Sequence, residues 1–590
     1  MQAHEQSFKF ITNTSRYRIP FFQRGYVWDD GNWAPMLEDF LGNRDGQFFG
    51  SIILKHQKKS TNDLGSTALV IDGQQRLTTM SILLKAVKDS LNIVEGNDLN
   101  KTVNQYLFFQ PDITSDESFT RIEHSKVDRD AFEFVLRSPA SDVLSSNSQS
   151  RIVQCYKFFY RELQHINDND RKWLLNRFVN NEDPFLVVID LDEKDDEQSI
   201  FDTINSAGVR LSYADTIKNL IFQVALAKAG SSHEQDVYTL YDATWFASFE
   251  GDESSREYWQ REAQSIRVKR TMLEVFLHSF AIIHKFYDPR QDSLGQLPSL
   301  FRKKLEDMET YREVKNFIET LSKDAEVYRE RLGSFAEAQE FEYDDYIGRL
   351  FHILDQCNVL TFHPYLLHLF TKYHCDEVTL KARCADLERF VMRQYAAHST
   401  TRQNNTLCVE FIEDEGAVRR CADNISQSEI DSHLCAIGNR QARLILFWIE
   451  LYRRYSDKYE SERKKKYCYH LEHILPQKWE THWTNVPIKD ENGVEIRDSE
   501  MAKATRNKKC YEIGNMTLLN GSLNIRISNS TFSKKISGEG RTKGIKDYAE
   551  LHITKDDILK PYELGDVVWD EEHITRRSKQ LIKEFHTLWG

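Results

Sequence analysis

Residues 467–477 read YCYHLEHILPQ, and 514–524 read GNMTLLNGSLN. An acid stands directly before a histidine in the first stretch, and Ile474, Leu475 and Pro476 follow. Forty residues on come Gly514-Asn515 and then Asn524. Hydrolysis of a phosphodiester at neutral pH needs a base for water and a cation at the phosphate. A neutral imidazole can take the proton. Carboxylate and amide oxygens are suitable hard ligands for Mg²⁺. Glu472, His473 and Asn524 supply these groups. If 467–477 is a regular strand, His470 and Glu472 share one face and His473 takes the other. His473 ranks above His470 as the base because only His473 is followed by Ile-x-Pro-Gln.

With this spacing the segment resembles the ββα-metal (HNH) endonucleases. The resemblance implies that Glu472 is a metal ligand, His473 the general base, Asn515 a structural asparagine and Asn524 the second ligand, for Mg²⁺ or Mn²⁺. Asn rather than His stands last, which leaves Asn520 and Asn529 as competitors for Asn524. Further on, Lys534 or Lys535 could hold a phosphate or stabilise developing charge, with Lys534 assigned a catalytic part. A solvent-exposed lysine pair is the plain alternative.

Two runs near the other end share a Gln-Arg pair in an apolar frame: 19–28 (IPFFQRGYVW) and 71–79 (IDGQQRLTT). In the second, Asp72-Gly73 turns a strand into a helix that begins near Leu77. Backbone N–H groups at that helix start, with Arg76 beside them, form a phosphate cradle, and Asp72 can bind a cation or orient water. No G-x-x-x-x-G-K-[ST] run occurs, which excludes a P-loop NTPase at motif level. A third run, 201–219 (FDTINSAGVRLSYADTIKN), reads as a helix end, a turn at Gly208 and a new helix capped at Ser212.

Together the three runs resemble the N-terminal domain of GmrSD-type type IV restriction enzymes, which is related to the ParB/sulfiredoxin fold. The resemblance implies nucleoside triphosphate binding and hydrolysis coupled to cleavage of modified DNA. By it, Gln23, Arg24, Asp72, Gln74, Gln75 and Arg76 line the nucleotide site, and Asn205 and Lys218 close it.

Composition agrees with such a protein. A chain of 590 residues exceeds one hydrophobic core, and 40% apolar content excludes a disordered chain. Nine scattered cysteines without a C-x-x-C pair suggest reduced thiols, neither a disulfide framework nor a four-Cys zinc site. The start, MQAHEQSFKF, lacks signal-peptide features, and no apolar run approaches membrane length, so a soluble cytoplasmic protein without membrane contact is expected. Net charge is −13, against wholesale nucleic-acid binding, but base concentrates in 462–466, 503–509 and 534–546, as a local DNA cleft requires.

Periodicity completes the reading. Strands are expected at 47–55, 68–71 and 185–191. Helices are expected at 77–94, 196–204, 213–228, 270–285, 441–453 and 574–589. The chain reads as a multidomain α+β protein: a ParB/sulfiredoxin-like nucleotide-binding domain (1–228), a mostly helical middle (229–455) and an HNH nuclease domain (456–590). The function expected is NTP-dependent cleavage of modified phage DNA, with double-stranded DNA and NTP as partners and a homodimer left open. Two rival readings use the same residues: a nucleotide-dependent DNA-binding regulator with a degenerate nuclease, and a modification-blind nuclease toxin. His363 and His368 lack zinc-protease spacing and should pack in the helical core, and the acidic run after Leu191 should be a loop.

Overall fold

The computed structural model describes all residues except 43–47, 58–65, 112–116, 181–183, 193–194, 196–211, 231–232, 264–268, 333–339, 491–492, 521–529 and 540–542. Two compact units emerge, residues 1–243 with 305–314, and 244–304 with 315–590. Most of the helical middle therefore shares the second unit with the C-terminal segment, while 229–243 and 305–314 belong to the first.

The first unit is built on a six-stranded mixed sheet. Its strands are β1 (Gln2–Gln6), β2 (Arg16–Arg18), β3 (Ser51–His56), β4 (Thr67–Asp72), β5 (Ile122–Glu123) and β6 (Leu186–Leu191), in the order β1-β6-β3-β4-β2-β5. The apolar, β-branched run of β6 lies inside the sheet, parallel to β3 and antiparallel to β1. β1 has a polar sequence, QAHEQ, and forms an edge.

Helix α1 (Gln74–Ser90) is buried nearly all round, and its Leu77, Met80, Ile82, Leu83, Leu84, Ala86 and Val87 are fully buried. A helix of that kind belongs inside a core rather than on its surface. Helix α2 (Arg151–Gln164) packs against it. The strand-to-helix turn depends on Gly73, whose φ is +95°. A Cβ there would stand 2.9 Å from Ile52 Cγ1 and 3.1 Å from its Cα. Only glycine meets both conditions. Helix α3 (Tyr213–Ala229) begins with the capping box that the sequence announces: Asp215 N–H donates to Ser212 Oγ at 3.0 Å, and Ser212 N–H donates back to the Asp215 carboxylate. The helix expected at 196–204 lies outside the described residues.

The second unit is largely helical. Met272–Ile283 covers most of 270–285, whose first two residues pair as a short strand instead. His363 is buried beside Tyr328, and His368 bonds Glu415, so both serve the helical core. Within this unit α4 (Asn439–Ser456) and the strands β7 (His470–His473) and β8 (Met516–Leu519) come together. β7 and β8 are antiparallel, with His473 opposite Met516 and Glu472 opposite Thr517. A short helix α5 (Phe532–Ser537) follows, and α6 (Glu571–Trp589) closes the chain. A helix, Ser499–Lys509, lies between β7 and β8 in the chain, and the two units together make the protein mixed α+β and multidomain. No described helix is long and apolar enough to cross a membrane.

Candidate functional site

The C-terminal constellation is organised by Asn515, which is fully buried. Its Oδ1 accepts from Leu475 N at 2.8 Å and from Trp569 Nε1 at 3.2 Å. Its Nδ2 donates to Leu475 O at 2.9 Å and Cys510 O at 3.0 Å. All four hydrogen-bonding positions of one amide are filled. The effect is to clamp the chain just after β7 to the turn before β8. Gly514 permits this closeness: a Cβ there would collide with Ile574 O and Ser578 Oγ of α6 and lie 2.6 Å from Ser578 N. Arg577, also buried, holds the same turn by donating to Gly514 O at 2.8 Å and Met516 O at 2.5 Å.

The Cys510 carbonyl that Asn515 holds also takes the His473 ring, with Nδ1 at 2.9 Å. A carbonyl can only accept, so Nδ1 carries the hydrogen and Nε2 keeps the lone pair in the neutral ring. Nε2 stands 3.2 Å from Asn439 Oδ1 at the start of α4, an oxygen on an amide that can turn to present Nδ2 instead, as the Cys510 carbonyl cannot. Burial, aided by the Lys535 charge, holds the imidazole below its ordinary range, against the opposing Cys510 bond. Burial therefore favours the neutral ring, and the Cys510 carbonyl favours the tautomer with its hydrogen on Nδ1.

Glu472 is buried, and its Oε1 accepts from Lys535 Nζ at 2.5 Å. Lys535 has no exposed surface and also donates to His473 O at 2.7 Å. Burial raises the carboxyl and lowers the ammonium, and the ion pair opposes both changes. Lys534 instead meets Glu539 at 2.8 Å on the half-exposed side of α5. Adjacent helical residues differ by 100° in direction, which decides between the two lysines. His470 is exposed. Asn524 and Asn529 lie outside the described residues, and Asn520 is exposed.

In the first unit the two Gln-Arg runs lock together. Gln23 Nε2 donates to Val70 O at 2.9 Å and Ile71 O at 3.2 Å. Gln74 Nε2 donates to Arg24 O at 3.2 Å. Gln75 donates to Gly25 O at 3.1 Å and accepts from Val27 N at 2.9 Å. These three glutamines therefore brace one loop against the other. Around them lie the charges. Arg76 donates to Ser51 O at 3.1 Å and stands 3.9 Å from Asp72. Burial lowers the Arg24 pKa, against the attraction of Asp215 and Asp72. Lys218 is buried in α3, 5.7 Å from the centre of the Tyr241 ring. Asn205 lies outside the described residues.

Sequence reasoning missed Gly50, Asp215, Asn439 and the Cys510 carbonyl. Gly50 has φ +101° and a Cβ there would meet the Arg76 guanidinium. Asn439 precedes His473 by 34 residues, and a backbone carbonyl has no side-chain signature at all.

Residues 5–222 match the family model of the GmrSD restriction endonuclease N-terminal domain, and residues 424–584 match that of the C-terminal domain. No curated protein matches the chain. Both matched segments carry the constellations just described and place the protein among restriction endonucleases. The chain belongs to the GmrSD family.

Proposed function

We propose that the protein is an NTP-dependent type IV endonuclease that cuts modified phage DNA in anti-phage defence, with an HNH active site centred on His473 and a ParB/sulfiredoxin-like nucleotide-binding domain within 1–228. The observation that carries this is the link Asn515–Cys510–His473, in which the Cys510 carbonyl favours the Nδ1–H tautomer of a half-buried imidazole whose pKa its surroundings lower. Nε2 of His473 takes a proton from a water, whose oxygen attacks the phosphorus of a DNA phosphodiester while the bond to one bridging sugar oxygen breaks, and that leaving oxygen takes a proton from solvent. The Cys510 carbonyl then steadies the Nδ1–H of the imidazolium. Lys535 keeps Glu472 beside the base and leaves Oε2 as its oxygen for a hard cation. Glu472, with Asn524, would hold Mg²⁺ or Mn²⁺, which supplies charge to the phosphate in the transition state.

In the N-terminal domain, the start of α1 with Arg24 and Arg76 would receive the triphosphate, and Asp72 would orient water or a cation. Gln23, Gln74 and Gln75 shape that site through the loop clamp, and Asn205 and Lys218 close it. The working enzyme acts in the cytoplasm on double-stranded DNA.

The test is His473→Ala. It should keep the thermal midpoint and DNA binding and lose metal-dependent cleavage of modified phage genomes, measured with and without each NTP. A variant that cuts at the wild-type rate removes His473 as the base.

A further inference from the structure

A cavity of about 590 Å³ lies in the first unit, against the sheet and beside Ile71, the residue that precedes Asp72-Gly73. Its size is in the range of roughly 300–1,000 Å³ that accepts small organic ligands. Phe21, Phe22 and Tyr238 give it aromatic walls, with the Phe21 and Tyr238 ring centres 4.4 Å apart. Gln23 and Asn219 also line it, at 8% and 6% exposure. Gln23 Oε1 and Asn219 Oδ1 are both buried without a hydrogen-bond partner among the described residues. For Gln23 the orientation is fixed, because its Nε2 is held by two backbone carbonyls. Two orphaned acceptors beside aromatic rings are a cost to the fold that only a donor can return.

We infer that this cavity binds a nucleobase carrying an exocyclic amino group, stacked against the aromatic wall and donating N–H groups to Gln23 Oε1 and Asn219 Oδ1. Adenine, cytosine and guanine each offer at least two N–H donors, those of the exocyclic amino group. Uracil and hypoxanthine offer one, and set a carbonyl oxygen against an acceptor. The base has two sources, a free nucleotide or a nucleotide extruded from DNA. The first deepens the nucleotide reading above and rests on it for the phosphates. The second does not.

Calorimetric titration of the full-length protein with ATP, ITP, CTP, UTP and tripolyphosphate tests the first source. ATP should bind about tenfold more tightly than ITP, and CTP than UTP, the worth of one buried hydrogen bond. Asn219→Leu, similar in volume, should bring ATP to the ITP level, leave tripolyphosphate unaffected and hold or raise the thermal midpoint. Asn219→Ala should show the same loss of discrimination. A second arm compares duplexes bearing a single adenine or hypoxanthine opposite an abasic site. Amino preference in this arm alone assigns the base to DNA and upholds the cavity. Absence of triphosphate and tripolyphosphate binding overturns the nucleotide reading, and the duplex arm then decides the cavity by itself. Equal affinity for amino and carbonyl bases in both arms overturns the inference, as does Asn219→Leu that is stabilised with discrimination intact.

Discussion

Asn515→Ala separates a brace from a bystander. The truncation leaves Leu475 N–H, Leu475 C=O and the Trp569 indole N–H without the partner they now share. An orphaned buried donor or acceptor costs about 1–3 kcal/mol, so three at the low end give a loss of about 3 kcal/mol. That is a large share of the roughly 5–15 kcal/mol that holds a domain together, yet the variant should still fold. The Cys510 carbonyl also loses its anchor, and with it His473 loses a fixed ring orientation. Urea unfolding should show a lowered midpoint with unchanged slope. Cleavage, measured in the absence of urea where the variant is fully folded, should fall by at least about tenfold, the effect of misplacing a base. A midpoint loss equivalent to less than about 1 kcal/mol, with cleavage retained, would falsify the clamp.

Lys535→Met should cost roughly 3–5 kcal/mol by leaving the Glu472 carboxylate buried alone, and adding Glu472→Gln should recover part of it in chemical denaturation. Lys534→Ala, which breaks only an exposed pair with Glu539, should stay within about 0.5 kcal/mol on the same assay, and an equal cost for both lysines refutes the assignment. Gly73→Ala should lose about 1–3 kcal/mol from backbone strain and from contact with Ile52, whereas Gly96→Ala, at φ +83° with open space around it, should lose less; matching melting points would count against the turn argument. Acid should weaken the first unit through His124, whose pKa burial lowers to about 3. The unfolded chain takes up that proton near pH 6.5 and the folded one does not, so stability is lost as pH falls below about 6.5, by up to about 1.4 kcal/mol per pH unit. His124→Gln should flatten the dependence of the urea midpoint between pH 7 and 5, and an unchanged slope would discount the histidine.

Local chemistry was legible in the residues themselves. The apolar helix after Asp72-Gly73, the β-branched run of β6 and the Ser212 cap all declare their conformation within a few positions, because propensity, periodicity and capping act at short range. The acid-His pair and the Gly-Asn that follows were visible as short motifs, and the fold brings Glu472, His473 and Asn515 to one end of the β7–β8 pair. What lay beyond reach were partners chosen by packing. A polar pentapeptide became β1 only because β6, more than 180 residues away, offered an edge. Lys535 rather than Lys534 reached Glu472 because of helix rotation, and the histidine tautomer was set by a backbone carbonyl. Sequence alone determined which polar groups the two constellations contain. Tertiary structure decided which of them meet, because burial and hydrogen bonding across long separations depend on the whole core being assembled.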